Sequence, residues 1–492
     1  MAKKLMKTKQ KYVILLLVLI SVFIGSACLR NKGIKEIKPN IILIIADDLG
    51  YSDVGFNGSI DIKTPHLDHL AQNGVICSSA YVAHPFCGPS RAGMITGRYP
   101  HAFGSQYNLP ANSEVLNEGI PLSEIFISDV LKKSGYHTGA IGKWHLGAVE
   151  RFHPNKRGFD EFYGFLGGGH QYFPKEYKAA YEKQKNLGTK IIFDYLKPLE
   201  YNGKDVDDDT NYLTDELSNQ AVKFVNKAAK KDDPFFLYLA YNAPHTPLEA
   251  TEEDLAVFSN IKDKKRRTFA AMVYAVDRGV GKLVESLKEN NQLENTLIVF
   301  LSDNGGDLKH AATNNPLTGT KGDTNEGGFR VPMFFYFPKS IPGGKTYDHP
   351  VSALDFYPTF TNLACAKIPK GKKLDGKNIW KSLISGKSAR EGEIIYAMRH
   401  REGYTDVGLR KDNWKALKTK QNKWQLFDIK NDISEKNDLS SQNPKVLKEM
   451  VAKGEKWSRT HIEPKWFDPD SLIVLWKDKQ MAKFNGLFVV DK

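Results

Sequence analysis

The chain has 492 residues, 41% of them hydrophobic and 26% charged, with a formal net charge of +13. That length supports one large domain plus a smaller one with ample core. The basic excess is modest and spread along the chain, and no helix-turn-helix, zinc-knuckle or RNA-binding signature accompanies it; nucleic acid is not implied, and a basic surface suits an anionic polymer instead.

Residues 1–27 carry five lysines and no acid, and from Val13 to Ile24 they are apolar apart from Ser21. About a dozen apolar residues fit a signal-peptide core and fall short of the ~20 needed to span a bilayer. The segment ends Gly25-Ser26-Ala27-Cys28, which resembles a lipoprotein box in which Cys28 is lipidated after cleavage, with Gly25 departing from the Leu, Val or Ile usual there. The chain is therefore expected to be exported and anchored as a periplasmic or cell-surface lipoprotein of a bacterium, at the outer membrane. Loss of residues 1–27 leaves a net charge of +8.

The elements then alternate. Asn40–Ala46 is an apolar run rich in isoleucine, suited to a strand buried on both faces, and it ends at Asp47-Asp48. A helix is predicted over 64–73, then a strand over 75–82 that delivers Cys87. Helix 123–134 precedes strand 136–141, which leads into Gly142-Lys143-Trp144-His145. The stretch 170–209, rich in Lys and Asp, reads as an insertion or loop on the substrate side. Helix 212–230 precedes strand 234–241 and Ala243-Pro244-His245; helix 266–289 precedes strand 296–301 and Asp303-Asn304; 331–337 is another strand. Repeated strand-then-helix units predict an α/β fold, a large mostly parallel sheet sandwiched by helices, with ligands at the carboxyl ends of the strands. Asp47-Asp48, Lys143 with His145, His245 and Asp303-Asn304 all follow predicted strands, so four chain-distant groups should share one edge of one sheet. This large domain spans 34–370. In 371–492 the pattern changes to short strands, 394–399, 403–411, 414–419 and 424–429, with a helix over 443–460, which predicts a smaller C-terminal antiparallel subdomain.

One string carries more chemistry than the rest. Cys87-Gly88-Pro89-Ser90-Arg91-Ala92-Gly93-Met94-Ile95-Thr96-Gly97 reads C-x-P-S-R-x-x-x-x-T-G. Gly88-Pro89 cannot sit inside a helix but can open one, which puts position 87 at a helix N-terminus. Unpaired N–H groups and the positive end of the dipole favour a sulfate or a developing oxyanion there. Arg91 falls in the first turn with its fork of donors. The string resembles the signature that a maturation enzyme recognises in type I sulfatases, of the alkaline phosphatase superfamily, when it oxidises the cysteine to Cα-formylglycine. Motifs along nearly the whole mature chain occur in that family's order.

The resemblance implies a ligand set and a mechanism. Asp47, Asp48, Asp303, Asn304 and the modified Cys87 match the family's divalent metal ligands, hard oxygen donors suited to Ca2+. Arg91, Lys143, His145, His245 and Lys321 match the polar residues around the sulfate; Lys321 stands in Gly319-Thr320-Lys321-Gly322. The cations and calcium would neutralise the sulfate oxygens, and one hydroxyl of the hydrated aldehyde would attack sulfur in line with the ester bond. His245, with Lys321 as a second candidate, would protonate the leaving oxygen; loss of a proton from the second hydroxyl, to His145, would regenerate the aldehyde and expel sulfate. A phosphonate or phosphate ester hydrolase on the same scaffold and a non-catalytic surface glycan-binding lipoprotein are the alternatives. Arg98-Tyr99-Pro100-His101-Ala102-Phe103-Gly104-Ser105-Gln106-Tyr107-Asn108 resembles the continuation seen in sulfatases of N-acetylgalactosamine 6-sulfate and algal galactans. That implies a sulfated oligo- or polysaccharide substrate, carrageenan before glycosaminoglycan, with His101, Gln106, His170 and His310 as candidate sugar contacts. Cys77 and Cys365 remain, and the sequence leaves open whether they pair.

Overall fold

A computed structural model of the chain describes residues 38–206, 211–420 and 423–490. The leader and Cys28 lie outside the described residues. Sixteen strands are defined among them: β1 (Asn40–Ala46), β2 (Val75–Cys77), β3 (Ala80–Tyr81), β4 (His137–Lys143), β5 (Glu161–Phe165), β6 (Glu200–Tyr201), β7 (Lys204–Asp205), β8 (Phe235–Ala240), β9 (Thr296–Ser302), β10 (Met333–Tyr336), β11 (Lys345–Tyr347), β12 (Val351–Ser352), β13 (Ile394–His400), β14 (Thr405–Lys411), β15 (Trp414–Lys418) and β16 (Gln425–Asp428). Ten of them make one sheet in the order β11-β2-β10-β9-β1-β8-β4-β5-β6-β7.

β1 lies between β8 and β9, parallel to both, and β4 is parallel to β8 and β5. The period of two is visible in the packing. Ile41, Leu43 and Ile45 enter one core with Phe236, Tyr238, Leu297 and Val299, while Ile42, Ile44 and Ala46 enter the other with Leu237, Leu239, Ile298 and Phe300. Helices Cys87–Thr96 and Phe356–Leu363 cover the first face; Pro65–Gln72, Leu213–Ala228 and Lys264–Glu289 cover the second. Each side chain buried this way contributes roughly 1.5–3 kcal/mol, so the centre of the sheet is the rigid part, and its carboxyl edge is where precise positioning is available.

Four expectations need amendment. The stretch 75–82 is two strands: β2 joins the main sheet, while β3 pairs with β12 in a separate one. At the switch Ser78 donates its N–H to Tyr347 O, and its carbonyl accepts from Arg330 and Tyr51. Strand 331–337 exists as β10 but runs antiparallel to β9. Helix 123–134 shortens to Ile127–Lys133. Within 170–209 a helix forms over Pro174–Asn186, and β6 and β7 finish the sheet edge.

The C-terminal strands form the expected meander, β13-β14-β15-β16, with its own core of Met398, Leu409, Leu426 and Met450. Residues 39–492 nevertheless form one unit. Lys415 of β15, fully buried, reaches Glu326 Oε1 at 2.9 Å and Glu435 Oε1 at 3.3 Å, and Arg410 of β14 donates to Tyr81 Oη at 2.8 Å. Cys77 is a buried free thiol, so no Cys77–Cys365 bridge forms.

Behind the helix that starts at Cys87, four histidines pack together. His101 stacks on His461 with centroids 4.7 Å apart and lies 5.7 Å from His400 and 5.6 Å from His84. Burial lowers His400 and His461 to about 3 and holds His84 and His101 well below the usual imidazole range. A lowered imidazole favours the folded state above the unfolded value near 6.5 and loses that contribution as pH falls toward 3, at about 1.4 kcal/mol per pH unit for each ring. Stability is therefore expected to drop between pH 6.5 and 5. Urea unfolding midpoints at these two pH values should converge in His461→Asn relative to the parent; an unchanged gap would assign the acid sensitivity elsewhere.

Candidate active site

The carboxyl edge of the central strands collects the polar groups. Asp47 and Asp48 follow β1, Lys143 ends β4, His145 lies two residues on, His245 follows β8, and Asp303-Asn304 follow β9. Asp48 takes a left-handed backbone, φ 64°, and His145 does likewise, φ 58°. Both are non-glycine residues in a costly conformation, which persists where the surroundings determine it. For Asp48 those surroundings are its N–H, donated to Asp303 Oδ1 at 3.3 Å, and its carboxylate, which accepts from Asn304 Nδ2 and Lys321 Nζ, both at 2.7 Å.

Three carboxylates thus meet three cations. Lys143 Nζ donates to Asp47 Oδ2 at 2.6 Å, Arg91 Nε to Asp303 Oδ2 at 2.8 Å, and Lys321 Nζ to Asp48 as above; Arg91 Nη2 also lies 3.7 Å from Asp47 Oδ2. Asp47, Asp303, Arg91 and the Lys143 side chain are fully buried. Burial would raise Asp48, but Lys321 and His245 hold it well below the usual carboxylate range. Asp303 is pushed up to about 6 by burial and by Asp47, against Arg91. Burial would lower Lys321, yet Asp48 holds it above the ordinary lysine range.

Cys87 is the first residue of the helix Cys87–Thr96, all of whose residues are buried. Asn108 Oδ1 accepts from Gly88 N–H at 3.0 Å and from Cys87 Sγ at 3.6 Å. A Cβ at position 88 would lie 2.8 Å from that oxygen, so a larger residue there would displace the Asn108 side chain. Burial raises the Cys87 thiol despite Lys143 and Lys321; as a cysteine it stays protonated, and a thiol is a poor nucleophile. His245 donates Nδ1–H to Thr246 O at 2.7 Å, leaving Nε2 toward Asp48 Oδ2 at 3.7 Å. Burial, with Lys321 and Lys143, lowers it to about 3 against the pull of Asp48. His145 is held well below the usual range by burial and by Lys143 and Arg91, and its Nδ1 is buried with no hydrogen-bond partner among the described residues.

These residues suit a hard cation. Asp47 Oδ1 and Asn304 Oδ1 are buried acceptor oxygens without a hydrogen-bond partner among the described residues. Ligand atoms of Asp47, Asp48 and His245 lie within 4.8 Å of one another. The expected set of Asp47, Asp48, Asp303 and Asn304 is therefore brought together, with His245 close enough to join it, and Cys87 feels the charges of Asp47 and Asp303. Of the expected sugar contacts, His101 and His170 have no exposed surface. His170 is spent on Gln171 O and Lys197 O, and His310 on Asp307. Gln106 borders a cleft that also touches Phe86 and Asn108. Asn108 ends the stretch 98–108 singled out in the sequence, which assigned it no role; sequence reasoning did not find Arg399, whose guanidinium lies 4.4 Å over the Phe86 ring and which stands in no motif that flags it.

Comparison with known proteins agrees with this geometry. A family model described as Sulfatase matches residues 39–366, and one described as N-sulphoglucosamine sulphohydrolase, C-terminal, matches 322–458. An uncharacterized sulfatase YdeN of Escherichia coli is 34% identical over 394 residues, 70% of this chain and 65% of that protein, slightly under two thirds of its length. Mouse N-acetylgalactosamine-6-sulfatase is 32% identical over 400 residues, 79% of this chain and 74% of that one. Among solved structures, Ps i-CgsB in complex with k-i-k-neocarrahexaose superposes with a TM-score of 0.90 at 59% identity, covering 92% of this chain and 99% of that chain.

Proposed function

The chain belongs to the sulfatase family, and from that premise we propose that it hydrolyses sulfate esters on a sulfated galactan of the carrageenan type. The observation that carries this reading is the 59% identity, over 92% of the chain, to a protein solved with a neocarrahexaose. Incubation with a panel of sulfated oligosaccharides, followed by assay of free sulfate, tests it. Release from carrageenan oligosaccharides is expected to exceed release from glycosaminoglycan fragments; the reverse order would overturn the galactan reading.

Cys87 is proposed as the residue converted to formylglycine by a maturation enzyme, its hydrated aldehyde supplying the oxygen nucleophile. Calcium is the proposed ion, held by Asp47, Asp48, Asp303, Asn304 and residue 87; when bound it acidifies the nucleophile and neutralises sulfate oxygens. The chain's own groups do the rest. Arg91 is fixed by Asp303 and Lys143 O and orients the first helical turn. Lys143 and Lys321 supply positive charge beside residue 87, where charge develops on sulfate oxygens. The Nδ1–H bond of His245 to Thr246 O fixes the ring and leaves Nε2 as the atom that takes up or releases a proton. The reading also includes export and a lipid anchor on Cys28, tested by labelled fatty-acid incorporation that is lost in Cys28→Ala.

If His245 Nε2 protonates the leaving oxygen, His245→Ala is expected to slow sugar sulfates at least ~100-fold more than nitrophenyl sulfate, whose leaving group needs no proton. Lys143→Ala should impair both, since its proposed partner is the sulfate they share. Equal losses in His245→Ala, with chemistry rate-limiting, would transfer the role to Lys321.

A further inference from the structure

Two clefts open beside the nucleophile helix, and their charges differ. One, of about 390 Å3, touches His145 and is lined by Glu114, Asp194, Glu200 and Asp205 against Lys190 and Lys197. Lys197 is already paired with Glu114. The other, of about 540 Å3, is bounded by Phe86 and Asn108, the neighbours of Cys87, and by Arg399, Arg401 and Lys420 against Glu402 and Asp468. An anionic chain is repelled less by the second than by the first.

Within the second cleft the two arginines are not equivalent. Arg401 is neutralised by Asp406 and by Asp323 at 2.7 Å, and it donates to Gly322 O at 2.9 Å. Arg399, half-buried at the end of β13, has no carboxylate within 4 Å among the described residues. Its guanidinium lies over the Phe86 ring, and Lys321 Nζ lies 5.1 Å from the centroid of the same ring. Burial and the nearby Arg401 lower it to about 10, so it remains charged at neutral pH. The backbone gives it room: a Cβ at Gly322, φ +87°, would lie 1.6 Å from Arg399 Nη1. Asp323 and Asp406, both engaged by Arg401, act on it only from beyond contact; a partly desolvated guanidinium with no direct partner is costly, and its planar fork matches two oxygens of a sulfate.

We propose that Arg399, seated on Phe86, is a specificity residue that binds a second sulfate ester of the substrate, carried on the sugar next to the one being desulfated. This rests on the sulfated-glycan reading and adds direction to it: the chain runs from residue 87 along the cleft between the main sheet and β13. Arg399 touches no reacting atom, so its effect belongs in KM.

The test uses two oligosaccharides that share the cleavable sulfate and differ only in the neighbouring one, with nitrophenyl sulfate as a reference that lacks it. In Arg399→Ala the preference for the doubly sulfated ligand is expected to fall ~10–100-fold, the range for losing a charge-assisted hydrogen bond, mainly through KM. Arg399→Lys should recover part of it. An unchanged preference, or a loss as large with nitrophenyl sulfate as with the doubly sulfated ligand, overturns the proposal. Calorimetry of both oligosaccharides with the inert Cys87→Ala protein, with and without Arg399→Ala, reads the same preference without turnover. If the ligands bind with the expected preference but release no sulfate from active protein, the hydrolysis reading fails and the subsite stands.

Discussion

Cys87→Ala is expected to abolish turnover, by at least ~10^4-fold, because no other side chain in the site supplies the nucleophile. The side chain is small and the change removes a single sulfur atom, so the free energy of urea unfolding should change by no more than ~1 kcal/mol, which separates lost chemistry from lost fold. Cys87→Ser should be equally inactive in a host that converts only cysteine. A serine oxygen can attack sulfur, but the resulting serine sulfate has no second hydroxyl with which to expel sulfate. Active parent protein should carry a residue about 18 Da lighter than cysteine at position 87. A fully active protein whose Cys87 is unmodified would end the proposal.

Asp303→Asn is the second large effect expected. Asp303 receives the Arg91 guanidinium and the Asp48 N–H, both buried. Asparagine keeps the volume and one acceptor but removes a charge from the proposed calcium site, and kcat should fall at least ~100-fold with a lower metal content. Asp303→Ala is the less informative change, since it leaves Arg91 buried without its partner at a cost of about 3–5 kcal/mol. Exhaustive chelation of the parent should reproduce the loss and calcium should restore it. Full activity with metal analysis confirming an empty site would overturn the ligand assignment.

The parts legible in the sequence are those whose burial is symmetrical. β1, β8 and β9 are apolar on both faces, so a continuous run was sufficient, and the acids that end β1 and β9 follow by the carboxyl-edge rule. The C-terminal meander was legible from its turns. The helix Pro174–Asn186 was not, because only Pro174 and Tyr177 in it are buried and no apolar stripe marks it. The break of 75–82 was equally hidden, since the carbonyl of Ser78 is held by Arg330 from far along the chain. Arg399 and the histidine stack belong to the same class: each depends on partners brought together only by packing β13 and the residues around His461 against the helix at Cys87.

The balance of three carboxylates against three cations has a thermodynamic consequence. Asp47, Asp48 and Asp303 are offset by Arg91, Lys143 and Lys321 within hydrogen-bond reach, so the protein's own side chains are close to neutral there. A divalent ion entering alone leaves an uncompensated double positive charge in a place with little water, and an anionic ester entering alone meets cations already engaged. Each therefore improves the conditions for the other, and reciprocity requires the two enhancements to be equal. If calcium is the ion, free sulfate should lower its dissociation constant by the same factor that calcium lowers that of sulfate, so the product of the reaction would help to retain the metal.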